Sequence, residues 1–209
     1  MCVVVTEVPM LSWTLLDSYL VMAEHLKVSA VIVINKMDVV SPTLATTIHA
    51  IYESLGYVVL QLQQDDTIGD ALLKAQLERH VSIFVGQSGV GKSSIIRRLL
   101  PHETNIQVGA LSSHRIQGQH TTSYAKYYHI PSGGGLIDSP GVREFNLMQL
   151  NLHSIAENYV EFKPLIPHCK FRNCTHIDTP HCAVLQAVQS GIIMKQRYEN
   201  YVKIVRMIG

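Results

Sequence analysis

Eight residues from Gly86 to Ser93 read GQSGVGKS and match G-x-x-x-x-G-K-S at every fixed position. Gly86, Gly89 and Gly91 let the backbone turn its N–H groups toward an anion, with Gln87, Ser88 and Val90 filling the steps between them. Lys92 supplies a mobile cation, Ser93 a hydroxyl able to ligate Mg²⁺, and Ser94 completes the set at the start of the segment that follows. An apolar run, Val81 to Val85, leads into the loop, and Ser93 to Leu100 reads as a helix with an apolar face. Strand, loop and helix in that order are the context a phosphate-binding loop requires.

A second tetrad separates guanine from adenine. In NKMD, Asn35 to Asp38, the Asp38 carboxylate offers two acceptors to the N1–H and exocyclic amine of guanine, whereas adenine has no proton on N1 and would leave that carboxylate unpaired. Asn35 would fix the loop and the O6/N7 side of the base, and the Lys36 stem would lie over the ring; Met37 completes the contact set. Alone, such a tetrad is more often an exposed turn than a base reader. Here it follows the apolar run Ala30 to Ile34, at the strand end where α/β sheets bind ligands. NKMD also precedes the phosphate loop by about fifty residues, the reverse of the usual order in GTPases. That order implies a circular permutation, which a domain with surface termini tolerates.

Downstream, Leu136 to Gly141 carries D-x-x-G after an apolar lead-in. Asp138 is expected to hold Mg²⁺ through water and the Gly141 N–H to meet a γ-phosphate. The polar stretch from Glu103 ends in Gly118-Gln119-His120-Thr121-Thr122 and suits a first switch, in which Thr121 or Thr122 closes the metal shell. A plain surface loop is the competing reading. Val142 stands where many GTPases place a water-orienting Gln, so slow hydrolysis is expected from the chain alone. His120 is the best-placed polar substitute and the candidate catalytic residue; the alternative leaves it facing solvent.

A separate constellation, Cys169, Cys174, His176 and Cys182, has C-x4-C-x-H-x5-C spacing in a segment of little apolar periodicity. Three thiolates and an imidazole suit a closed tetrahedral Zn²⁺ site, structural rather than catalytic. Disulfides are the rival, disfavoured by the reducing, cytoplasmic compartment expected for a nucleotide-binding GTPase with no secretory signal. His168 and His181 flank the set as substitute ligands or supporting donors. Cys2, among valines, reads as a small core residue.

Taken together, NKMD, GQSGVGKSS, GQHTT, DSPGVREF and CKFRNCTH with Cys182 resemble the ribosome small subunit-dependent GTPase A family (RsgA, also called YjeQ), bacterial circularly permuted GTPases. The likeness runs from about Val3 to Tyr201. It implies GTP hydrolysis stimulated by the 30S subunit, a role late in 30S maturation, contact with rRNA, Mg²⁺ with GTP or GDP, and one structural Zn²⁺ in a C-terminal helical domain. It also implies an N-terminal OB-fold in relatives; this chain is expected to lack it, beginning directly in the first GTPase strand, Cys2 to Thr6. Where the family has a Ser-Ala that caps guanine O6, this chain has Gln63-Gln64, an expected alteration of base affinity. A different class of function shares every motif: a nucleotide-gated module that docks on the ribosome or rRNA with negligible hydrolysis of its own.

These residues need a scaffold. Strand and helix alternate from Val3 to Leu100, which predicts a mainly parallel sheet covered on both faces. Thr122 to Ile130 and Gly135 to Ile137 read as an antiparallel hairpin through Pro131-Ser132-Gly133-Gly134. Helices are expected at about Leu150 to Phe162 and Ala183 to Met207, on either side of the zinc loop. The fold class is therefore α/β: a circularly permuted P-loop GTPase domain over 1–148 and a small helical zinc-binding domain over 149–209. At 209 residues, 47% hydrophobic, 16% charged and +1 in net charge, the chain can bury one α/β core and a small module, and it is not a globally basic nucleic-acid binder. No apolar run approaches the roughly twenty residues of a membrane span, so no membrane partner is expected; the chain is expected to act as a monomer.

Overall fold

Continuous runs of β-branched residues make the strands. Cys2–Val5 (β1), Val31–Ile34 (β2) and Val81–Val85 (β4) are almost entirely apolar, as strands covered on both faces must be. The computed structural model describes residues 1–100, 126–130, 133–138 and 150–208. With Val58–Gln61 (β3), Lys126–His129 (β5) and Gly135–Asp138 (β6), the strands form one six-stranded sheet in the order β3-β2-β1-β4-β6-β5. Every pairing is parallel except β5 with β6, the expected hairpin. The strand order reverses between β1 and β4, and open α/β sheets bind ligands beyond the strand ends at such a point.

Contacts divide the chain into two compact units. The first holds residues 1–11, 30–53 and 57–144, and the second 12–29, 54–56 and 145–209. In the first, Cys2 and Val4, Val31 and Val33, Phe84 and Leu136 alternate onto one face of the sheet. Leu73 and Leu77 of helix Thr67–Leu77 (α3) and Ile95, Ile96 and Leu99 of helix Lys92–Leu99 (α4) cover that face. Cys2 is 2% exposed in this core, and burial raises its thiol pKa to about 11. Arg98 ties the two helices by a two-pronged ion pair to Asp70 at 2.9 to 3.2 Å. A further helix of this unit, Pro42–Glu53 (α2), buries Ala45, Ile48, Ile51 and Tyr52.

The second unit includes a helix, Trp13–His25 (α1), that lies in sequence between two strands of the first. Val21 and Met22 of α1 share a core with Ile155 and Ala156 of Leu152–Glu157 (α5), Val184 and Ala187 of Ala183–Gln189 (α6), and Tyr201, Ile204 and Val205 of Lys195–Ile208 (α7). The single helix expected from Ala183 to Met207 is two. Gly191, at φ +77°, leaves the helical conformation, and the amides of Gly191 and Ile193 turn back to the carbonyls of Val188 and Ala187. The helix expected from Leu150 to Phe162 is likewise shorter: the amides of Asn158 and Tyr159 close three-residue bonds onto Ile155 and Ala156 and tighten its end.

A buried charge cluster fastens this unit. Arg197 of α7, 2% exposed, donates to Asp17 of α1, and through Nε and an NH2 group to Glu161 at 2.7 and 3.1 Å. Asn200 donates to the second Asp17 oxygen at 2.6 Å, and the Tyr159 ring lies 4.5 Å from the guanidinium. No described helix is long and apolar enough to cross a membrane.

Candidate functional sites

The parallel strands carry the two nucleotide-type motifs to one edge of the sheet. NKMD follows β2, the phosphate loop follows β4, and both strands pair with β1. Gly86 passes so close to β1 that an added Cβ would stand 2.2 Å from the Val4 carbonyl oxygen, so only glycine fits there. At the other end of the loop Gly91, at φ +96°, caps α4 without a side-chain hydrogen bond. The first turn of α4 is thus left for an anion, where the helix dipole favours one.

Side chains of the first motif clamp the second. Asn35, 4% exposed, donates from Nδ2 to the Val90 carbonyl at 2.8 Å, while the Val90 side chain is wholly buried. Lys36, at φ +59°, donates from Nζ to the carbonyls of Gly89 at 2.7 Å and Val8 at 3.2 Å. The Met37 amide donates to the Leu62 carbonyl at 3.1 Å, which fastens NKMD to the segment just before the exposed Gln63 and Gln64. Asp38 is exposed. Gln87 reaches the Met10 carbonyl at 3.2 Å. Lys92 donates to the carbonyls of Gly86 and Gln87 at 2.7 and 2.8 Å, bonds that phosphate oxygens can replace. Ser93 and Ser94 are half-buried at the start of α4, and Ser88 is exposed on the loop.

The strand register puts the Asp138 backbone opposite Phe84, two residues before Gly86, so D-x-x-G starts beside the phosphate loop. The Asp138 side chain and residues His120, Thr121, Thr122 and Gly141 lie outside the described residues. The β1–α1 segment was not foreseen as part of the site. Its Val8 and Met10 carbonyls receive Lys36 and Gln87, and backbone acceptors leave no signal in side-chain identity.

In the second unit Cys169, Cys174, His176 and Cys182 converge, with all four ligand atoms within 4.8 Å of one another. Cys169 Sγ is 3.8 Å from Cys182 Sγ and 3.6 Å from His176 Nδ1, and Nδ1 is 3.4 Å from Cys182 Sγ. A tetrahedral Zn²⁺ about 2.3 Å from sulfur and about 2.0 Å from nitrogen spaces sulfurs by about 3.8 Å and sulfur from nitrogen by about 3.5 Å. The set fits structural zinc. No disulfide joins any of the four cysteines, and the flanking His168 and His181 are exposed outside the set.

Local structure explains the convergence. Cys182 is the N-cap of α6 and its sulfur accepts from the Leu185 amide at 3.5 Å, a place that favours a thiolate. His176 takes the left-handed conformation at φ +59°. Two α7 tyrosines hold the loop backbone: Tyr198 donates to the His176 carbonyl at 3.0 Å and Tyr201 to that of Thr175 at 2.6 Å. Burial pushes the Cys182 thiol up to about 12. Burial also acts to raise Cys174, but its bonds with the His176 backbone, the Thr179 hydroxyl and the neighbouring sulfurs outweigh it and leave that thiol lowered. Burial and, after it, the charge of His153 lower the pKa of His176, which keeps the imidazole neutral as a metal ligand must be.

A family model described as RsgA GTPase matches residues 1–148. The chain belongs to the RsgA GTPase family. It is 45% identical over 212 residues to "Small ribosomal subunit biogenesis GTPase RsgA 1" of Vibrio vulnificus, a match covering 100% of this chain and 60% of that protein. It is also 45% identical over 210 residues to "Small ribosomal subunit biogenesis GTPase RsgA" of Vibrio cholerae, covering 99% and 54%. The chain therefore spans between 54% and 60% of the length of these two relatives. Among solved structures it is similar to YjeQ from Thermotoga maritima, with a TM-score of 0.83 at 30% identity, covering 99% of this chain and 70% of that one. It is also similar to YloQ, described as a circularly permuted GTPase, with a TM-score of 0.77 at 26% identity, covering 100% and 67%. The fold is accordingly a circularly permuted P-loop GTPase domain on a mainly parallel sheet, with a zinc-binding cluster near the C-terminus.

Proposed function

We propose that this RsgA-family chain is a GTP hydrolase acting in late maturation of the 30S ribosomal subunit, with turnover stimulated by that subunit. The observation that carries the reading is the clamp of Asn35 and Lys36 on Val90 and Gly89, which sets a guanine-reading motif against a phosphate loop. Family membership supplies the biological setting. In this reading Asp38 selects guanine, the amides of 86–94 and Lys92 take the phosphates, and Ser93, Asp138 and Thr121 or Thr122 complete a Mg²⁺ shell, with Gly141 at the γ-phosphate. Residues 1–148 serve as the GTPase domain and 149–209 as the zinc domain, working as a monomer in the cytoplasm on GTP, GDP and the subunit with its rRNA.

Val142 supports low turnover by the chain alone, because an isopropyl group cannot orient water. His120 is proposed to supply the polar contact. The deciding experiment measures GTP and ATP turnover with and without 30S subunits, for wild type and His120→Ala. GTP-selective turnover that rises with subunits supports the reading, and its loss by roughly a hundredfold in His120→Ala supports the catalytic assignment. GTP binding with unstimulated, negligible turnover would instead favour a nucleotide-gated docking module.

A further inference from the structure

Residues that leave β1 bracket the loop carrying Asp38. At the loop's start the Asn35 amide donates to the Val5 carbonyl at 2.8 Å, and Lys36 Nζ reaches the Val8 carbonyl at 3.2 Å. At its end the Ser41 amide donates to the Glu7 carboxylate at 2.5 Å. Between these anchors the Val39 amide closes a turn onto the Lys36 carbonyl at 2.9 Å, and Val40 is buried while Asp38 is exposed. Glu7 itself is half-buried.

Ser41 immediately precedes α2, and its Oγ accepts from the Leu44 amide at 3.3 Å, so its side chain caps the helix while its own amide meets Glu7. The first turn of α2 holds no acidic residue. Glu7 therefore brings from β1 the negative charge that a helix N-terminus favours, and a hydrogen bond to a charged acceptor is roughly twice as strong as a neutral one.

We propose that Glu7 is a positioning residue for guanine recognition, one that holds the Ser41 end of the loop so that the Asp38 carboxylate meets two donors of the base together. The role rests on Asp38 as the guanine reader. A carboxylate accepts from N1–H and the exocyclic amine at once only when it lies squarely against the base edge, so a loop released at Ser41 keeps one bond more easily than both. Inosine retains N1–H and lacks the amine. The preference for GDP over IDP thus measures how well Asp38 reaches the second donor.

The test titrates the full chain calorimetrically with GDP, IDP and ADP in the presence of Mg²⁺. Glu7→Ala should weaken GDP roughly tenfold or more and IDP less, so that the GDP-to-IDP preference falls by roughly threefold or more. Glu7→Gln keeps an acceptor oxygen at the same reach and should retain most of the preference, whereas Glu7→Asp, one methylene shorter, should lose it. Ala50→Gly on the exposed face of α2 loosens the helix without touching the loop and should leave the preference at the wild-type value. An unchanged preference in Glu7→Ala, or an equal fall in Ala50→Gly, would overturn the proposal. If Glu7→Ala does not fold, the Gln and Asp variants decide, and equal preferences in those two would overturn it as well. A wild-type chain that binds ADP as tightly as GDP removes the Asp38 reading and the Glu7 role together, while guanine selectivity that survives Glu7→Ala intact removes the Glu7 role alone.

Discussion

The side-chain amide of Asn35 stands 2.8 Å from the carbonyl oxygen of Val90, and an added Cβ on Gly91 would stand 2.3 Å from that same amide nitrogen. NKMD and the glycine-rich loop are therefore joined by two contacts, this one and that of Lys36 with the Gly89 carbonyl, and a single added methyl group would break the first.

Gly91→Ala should accordingly lower GTP affinity by roughly tenfold or more, since it adds strain at φ +96° of about 1–2 kcal/mol to the loss of a buried hydrogen bond. The fold should survive, because the displaced atom ends a side chain. Gly86→Ala should instead destabilise the domain, because its Cβ would meet Val4 backbone. Calorimetric titration and thermal melting separate the two, and a Gly91→Ala chain with wild-type GTP affinity would contradict this.

Asp38→Asn should exchange guanine for xanthine preference, because the amide can donate where xanthine offers O2. The expected loss for GTP is roughly ten- to a hundredfold, the scale of a hydrogen bond to a charged group. Competition between GTP, XTP and ATP reads the result. Equal affinity of the wild-type chain for ATP and GTP would end the assignment.

Cys174→Ser should release the metal and loosen the second unit while nucleotide binding persists in the first. Structural zinc sites contribute about 10 kcal/mol or more of apparent binding energy at neutral pH, so the effect should be a lost unfolding transition rather than a small shift. Metal analysis and two-probe denaturation check it. A wild-type chain without zinc, holding a disulfide between Cys169 and Cys182, would contradict it.

Removing Arg197 should cost more than its ion pairs are worth, because Asp17, 0% exposed, would keep a buried charge without its guanidinium. Arg197→Met is expected to lose about 3–5 kcal/mol of stability, read from urea unfolding of the second unit. Arg197→Lys should recover part of it, since one ammonium cannot reach both carboxylates as a guanidinium does. A loss under about 1 kcal/mol, the range of an exposed pair, would mean that Asp17 is hydrated.

Acid should weaken the second unit through His176. Burial holds its folded pKa below the ordinary 6.5, so the unfolded chain takes the proton first. Stability from this group is present above pH 6.5 and is lost as pH falls below it, a trend bound zinc steepens because protons compete for the ligand. Melting temperature against pH, with and without chelator, measures it. In His176→Asn the corresponding slope near pH 6 should vanish.

Much of this was legible locally. The strands announce themselves as unbroken apolar runs, the phosphate loop by its glycines, and the zinc ligands by thiol and imidazole density within one short segment. What escaped depends on distant partners. Asp17 and Arg197 each sit on an amphipathic helix where a charge reads as solvent-facing, and 180 residues separate them. The alternation of strand and helix also assigns α1 to the sheet, and nothing in its own residues reveals that its core partners lie on α5, α6 and α7. Gly191 is a break signal, yet the apolar periodicity on both sides of it reads as one continuous helix.

Because α1 belongs to the unit that ends with α7, the chain carries an order of assembly. Synthesis from the N-terminal side makes Asp17 180 residues before Arg197. The buried pair that fastens the second unit can close only once Arg197 has been made. Until then α1 waits with an unmatched carboxylate, while the sheet strands on either side of it can already pair with each other. A nascent chain halted before Lys195 should therefore hold an open second unit, whatever metal is supplied to its cysteines.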